Sequence, residues 1–75
     1  MAYKDDRKER MKKKIMSAIM VYTLDMGYPP TFDEIGEMVG LRSKATVSWY
    51  LGMLRAEGKI SWENGKPRTV RLVEK

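Results

Sequence analysis

Leu41-Arg42-Ser43-Lys44-Ala45-Thr46-Val47-Ser48-Trp49-Tyr50-Leu51-Gly52-Met53-Leu54 is the stretch on which the fold turns. At about 100° per residue it winds into a helix with two unlike stripes. Val47, Tyr50, Leu51 and Leu54 fall together as a core side. Ala45, Ser48, Trp49, Gly52 and Ala56 fall opposite. A solvated helix face carries Glu, Lys and Gln; this one carries small residues and one indole. A glycine in a helix interior costs about 1 kcal/mol against alanine. A face that gives up its side chains lets the backbone approach another surface, and the major groove of duplex DNA admits one α-helix. A tolerated surface glycine beside a stray tryptophan describes the same stripe, so the rest of the chain has to decide.

Working back from this helix, Gly40 closes a shorter one over about 32–39. Thr31 and Glu34 form the capping box that opens it, and Phe32, Ile35, Met38 and Val39 are expected to turn inward. Leu41 then falls where it can pack back on Ile35 in a Schellman stop. Ser43 caps the helix that follows, which is expected to span 43–57 and stop at Gly58. Two helices joined by a short glycine-containing turn form a helix-turn-helix, whose second member enters the major groove. Upstream, Gly27-Tyr28-Pro29-Pro30 is a stiff connector, because proline fixes its own φ and drives its predecessor out of helical space. Before it, Met11, Ile15, Ala18, Ile19 and Tyr22 repeat at helical spacing, predicting a first helix from a capping box at Asp6 and Glu9 to about Met26. The run Lys12-Lys13-Lys14 reads as a solvated helix surface, with phosphate contact as its functional alternative.

Downstream, Lys59 to Glu63 alternates with Ile60 and Trp62 on one face, and Arg68 to Val73 alternates with Val70 and Leu72 inward. Asn64-Gly65 marks the turn between them, lengthened by Lys66-Pro67. Two strands are marginal alone, so this hairpin must lie on the helices. The fold class is therefore mainly α with a small β-hairpin: a three-helix winged helix-turn-helix, one domain over residues 1–75.

Composition narrows the function. The chain has 75 residues, no cysteine and no histidine, which excludes a disulfide framework, a zinc finger and histidine acid–base chemistry. No nucleophile–base set or phosphate-cradling glycine loop occurs, so an enzyme is not expected and no cofactor is implied. The formal charge is +5, unevenly spread: residues 1–14 are net +4, 25–40 net −4 and 41–75 net +5. A basic start and a basic second half suit a polyanion, although solubility alone accounts for net charge. The apolar run from Ile15 to Leu24 is too short to span a bilayer, and the acids Asp5, Asp6 and Glu9 before it argue against a signal peptide. A cytoplasmic location and no membrane partner are expected.

Taken together, Gly27-Tyr28-Pro29-Pro30-Thr31-Phe32-Asp33-Glu34-Ile35-Gly36, Gly40-Leu41-Arg42-Ser43, Gly58-Lys59-Ile60 and Arg71-Leu72 resemble the N-terminal DNA-binding domain of the LexA repressors. The resemblance covers residues 9–73. It implies a small transcriptional regulator of a bacterium, phage or mobile element that binds double-stranded DNA, with Ser43, Ala45, Thr46, Ser48 and Trp49 facing the groove and Arg68 on the wing near the backbone or minor groove. Arg42, Lys44 and Lys66 join these as phosphate contacts, on wing 63–68 and at the start of the third helix. The family's self-cleaving domain, which carries its dimer contact, is not expected here, so the isolated chain is expected to be a monomer. Where family members place Asn and paired Glu on the reading face, this chain has Ala45, Ser48 and Trp49, which implies a different target site. The alternative is a protein-interaction module on the same fold, an antirepressor or a phage-encoded inhibitor of a host factor, with Trp49 as its anchor.

Overall fold

The computed structural model describes residues 6–73. In chain order it contains α1 (Asp6–Met26), α2 (Phe32–Val39), α3 (Lys44–Ala56), β1 (Ile60–Ser61) and β2 (Arg71–Leu72). The two strands pair antiparallel, with Ile60 opposite Leu72 and Ser61 opposite Arg71. The expected three helices and hairpin are all present among the described residues.

Each stop is set by a local device. Thr31 and Glu34 make the full capping box: the Thr31 hydroxyl accepts from the Glu34 amide at 3.1 Å, and the Glu34 carboxylate accepts from the Thr31 amide at 2.8 Å. Gly40 closes α2 at φ 80°, and the Leu41 amide donates to the Gly36 carbonyl at 2.8 Å, the Schellman bond. Ser43 caps α3, its hydroxyl accepting from the Thr46 amide. Gly58, at φ 74°, ends α3 with the Lys59 amide donating to the Leu54 carbonyl at 2.9 Å. At the other end of the chain Asp6 is already helical, so it lies inside α1 rather than capping it.

The core is one cluster drawn from every element. Ile15 and Ile19 come from α1, Ile35 from α2, Val47, Leu51 and Leu54 from α3, and Ile60 and Val70 from the hairpin. Phe32, Val39, Leu41, Tyr50, Trp62 and Leu72 pack around it, partly buried. Met38 departs from expectation: it is exposed. Gly36 is buried in its place. A Cβ on Gly36 would lie 2.9 Å from Val47 Cγ2 and 3.0 Å from the Leu41 carbonyl oxygen. The buried face of α2 is thus centred between Ile35 and Gly36, and Met38 lies roughly 110° away from that centre at 100° per residue.

The ladder is shorter than the alternation of 59–63 and 68–73 suggests. Pro67 offers no amide, and Arg68 sits at φ 56°, a left-handed conformation that few non-glycine residues adopt. Between the strands, side chains replace the ladder. The Thr69 hydroxyl accepts from the Glu63 amide at 2.9 Å and donates to the Lys66 carbonyl at 3.0 Å. The Lys66 amide donates to the Glu63 carbonyl at 3.2 Å, closing the turn around Asn64-Gly65.

Lys12 is the second departure. It is buried rather than solvated, donating to Glu57 at the end of α3 at 2.6 Å and to Glu9 at 3.2 Å. The Glu57 contact holds the Lys12 ammonium above its usual pKa, and the Lys12 contact in turn lowers that of Glu57. One lysine of the Lys12–Lys14 run therefore ties α1 to α3 and is withdrawn from phosphate contact; Lys13 and Lys14 stay exposed.

Candidate nucleic-acid interface

The outward stripe of α3 is where periodicity placed it. Ala45, Ser48, Trp49, Gly52 and Ala56 are all exposed, while Val47, Leu51 and Leu54 are buried behind them. Nothing lies within 4 Å of the position a Gly52 Cβ would take. The stripe is therefore an open strip of helix backbone, with one large side chain standing on it.

That side chain, Trp49, is 49% exposed. Its ring meets Tyr50 edge-on at 5.0 Å between centroids, and the Lys8 ammonium lies over it at 5.2 Å. Lys8 belongs to α1, so the first helix brings a cation beside the stripe. Nothing in the spacing of residues 6–14 announces this; it follows from the tertiary placement of α1, whose Lys12 also reaches Glu57 at the end of α3.

At the start of α3, Arg42, Ser43, Lys44 and Ala45 are exposed and Thr46 is half-buried. The Ser43 hydroxyl is committed to the Thr46 amide, weakly at 3.4 Å. Unpaired amides in a first helical turn, together with the helix dipole, favour an anion. Lys44 pairs loosely with Asp33 at 3.7 Å, with both side chains largely in solvent. Such exposed pairs are worth little and are screened by salt, so Lys44 is available to a stronger anion.

The wing divides its two cations. Lys66 is exposed and only 3.7 Å from Glu63, again a loose pair. Arg68 is engaged from within. Its guanidinium donates to both carboxylate oxygens of Glu34 at 3.0 and 3.1 Å, to the Tyr22 hydroxyl oxygen at 3.1 Å and to the Pro29 carbonyl at 3.2 Å. It also lies over the Tyr28 ring at 4.8 Å. The Tyr22 hydroxyl donates to Glu34 in turn, at 3.0 Å. The Thr31 amide and the Arg68 guanidinium together hold the Glu34 carboxyl well below its ordinary value, at about 2. A second arginine braces the base of the wing: Arg55 stacks on Trp62 at 4.1 Å and donates to the Trp62 carbonyl at 2.9 Å and to Asn64 Oδ1 at 3.0 Å. Trp62 packs edge-on against Phe32 at 5.2 Å. Sequence reasoning missed Arg55 and Lys8; the Arg55–Trp62 spacing of seven residues bridges two elements and carries no periodic signal.

A capped α2, a glycine turn, an α3 with a depleted and open outer face and a braced hairpin make a winged helix-turn-helix. The family model described as the LexA DNA binding domain matches residues 9–69. The chain belongs to the LexA DNA-binding domain family. Among its relatives, the LexA repressor of Lacticaseibacillus casei (strain BL23) is 47% identical over 60 residues, which is 80% of this chain and 29% of the relative. The LexA repressor of Carboxydothermus hydrogenoformans is 44% identical over 62 residues, 83% of this chain and 30% of the relative. That of Thermobifida fusca is 34% identical over 61 residues, 81% of this chain and 24% of the relative. The chain thus spans less than a third of the length of these relatives, and the shared part is the LexA-type DNA-binding domain. Among the described residues, no helix is long and apolar enough to cross a membrane.

Proposed function

We propose that this chain is a repressor-like transcriptional regulator of a bacterium or phage that reads double-stranded DNA with α3 and steadies itself on the backbone with the wing. The observation that carries the proposal is the open stripe of Ala45, Ser48, Trp49 and Gly52 on the second helix of a helix-turn-helix, in a LexA-family chain. Arg42, Lys44 and the amide end of α3 at Ser43 grip phosphate at one end. Lys66 grips it from the wing. Thr46, Ser48 and Trp49 meet the base edges, and the Ala45 and Thr46 methyl groups suit a thymine methyl. Arg68 acts through Glu34, holding the wing at its angle to the backbone, with its own charge already paired. Ser48 and Ala45 supply no bidentate base contact, so the target site differs from one read by Asn or Glu. The protein works in the cytoplasm, catalyses nothing, and the isolated chain is a monomer.

A titration of labelled duplex at rising salt tests this. Non-specific affinity on the order of 10⁻⁴–10⁻⁶ M near physiological salt, tightening steeply at low salt, is expected. Absence of binding to any duplex at low salt, with the protein shown to be folded, would rule it out. A tight dimer by sedimentation at micromolar concentration would contradict the monomer.

One observation favours a second reading. A half-exposed Trp49 edged by Tyr50 also has the form of a protein-interaction anchor, as in an antirepressor or an inhibitor of a host factor. Binding that depends on Trp49 but not on salt or DNA would select that reading.

A further inference from the structure

An apolar groove runs between α1 and α2, away from α3 and the wing. Its volume is about 620 Å³; Val21, Met38 and Val39 line its floor, and Arg10, Lys13 and Lys14 line one end. The apolar surface continues along α1. Ser17, Met20, Val21 and Leu24 recur at i, i+3, i+4 and i+7, and Leu24 is 77% exposed, Val21 51% and Met20 47%. A helix that turns one stripe to its own core ordinarily carries charge on the other side. Here a second apolar stripe faces solvent, of the contiguous kind that marks an interaction surface. Two of its members are methionines on α1 and α2, Met20 and Met38, whose unbranched side chains adapt to varied apolar partners.

Charge specifies the occupant. The groove lining includes three cations and no carboxylate. Among the described residues none forms an ion pair with Arg10, Lys13 or Lys14, in contrast to the buried Lys12. Two of the nearby acids are engaged elsewhere: Glu9 pairs with Lys12, and Glu37 lines the hollow between α2 and α3. From Arg10 to Val21 the groove wall rises about 16 Å, or three turns of helix.

We propose that this groove docks an amphipathic α-helix of another protein, with its apolar stripe on Val21 and Met38 and its carboxylates over Arg10, Lys13 and Lys14. The proposal is independent of the DNA reading, because no residue of α3 or the wing lines the groove. A regulator seated on DNA would still present it.

The test uses two labelled synthetic helices of 18 residues, identical in their leucine stripe, one with three glutamates near one end and the other with three lysines there. Fluorescence anisotropy should show saturable binding of the glutamate peptide and much weaker binding of the lysine peptide. Val21→Glu should weaken the glutamate peptide about tenfold or more, and Lys13→Gln with Lys14→Gln should erase the preference between peptides. If Val21→Glu melts early, Leu24→Glu serves instead at a more exposed position. Equal binding of both peptides, or no effect of either glutamate substitution, overturns the proposal. So does a concentration-dependent dimer abolished by Val21→Glu, which would assign the groove to a second copy. A shallower salt dependence of duplex binding in the Lys13/Lys14 double variant would assign the cations to DNA and overturn it as well. Duplex affinity of the parent is measured separately, so failure of the DNA reading is seen on its own.

Discussion

Arg68 and Glu34 meet as a two-point ion pair, the two terminal guanidinium nitrogens on the two carboxylate oxygens, across 34 positions of sequence. The same carboxylate caps α2 through the Thr31 amide. One glutamate therefore sets the start of the helix-turn-helix and the position of the wing. The arrangement also accounts for the backbone of Arg68, whose φ of 56° is held by the contacts at the end of its own side chain.

The Thr31 amide and the Arg68 pair together make stability depend on acid. Glu34 is ordinarily near 4.5 and falls to about 2 in the folded protein. Folding depresses its pKa, so its contribution is fully present above about 4.5 and is lost as pH falls from there toward 2. Thermal melts should decline across that window. Glu34→Gln keeps an acceptor for the Thr31 amide but removes the ion pair; it should melt lower at neutral pH and fall less steeply in acid. A variant with the parent's acid profile would show that another carboxylate carries the effect.

Two glycines should respond in opposite ways to alanine. Gly36→Ala puts a methyl 2.9 Å from Val47 and 3.0 Å from a backbone oxygen, and overpacking of this kind costs about 1–3 kcal/mol. Gly52→Ala meets nothing within 4 Å and should stabilise α3 by about 1 kcal/mol. It should at the same time weaken duplex binding, since the added methyl stands on the reading stripe. Chemical denaturation and duplex titration of both variants check this; a Gly52→Ala protein that is more stable and binds as well as the parent would remove the reason given for that glycine.

Lys12 and Lys44 carry the same charge in different surroundings. Lys12→Gln removes the only ion-pair partner of Glu9 among the described residues and leaves Glu57 with the looser Lys59 at 3.5 Å, and should lower the melting temperature while leaving the salt dependence of duplex binding alone. Lys44→Gln should leave the melt alone and make the slope of log affinity on log salt shallower by about 1, one phosphate contact. Reversed outcomes would place α1, not the start of α3, against the backbone.

The sequence made the elements and their stops legible because each rests on a short-range rule. Thr31 with Glu34, Gly40 with Leu41, and Ser43 act within six residues, and the α3 stripe needs only its own period. The internal partners of Arg68 and the burial of Lys12 were not legible for a common reason. Arg68 finds its partners in residues 22–34, and Lys12 finds one 45 positions away. Both look like free cations until the tertiary crossing is known. Met38 fell on the wrong face because a two-turn helix offers too few apolar positions to fix its phase, and a glycine, which carries no hydrophobic signal, holds the buried place.

The central claim is that α3 reads DNA through Trp49, and duplex titration of Trp49→Ala beside its thermal melt tests it most directly. The indole is half-exposed, touching only Tyr50 and Lys8 among the described ring contacts. Its removal should leave the melting temperature nearly unchanged and weaken binding to duplex by about tenfold, roughly 1.4 kcal/mol. A variant that binds duplex as tightly as the parent, or one whose melt falls by several degrees in step with its loss of binding, would contradict the account.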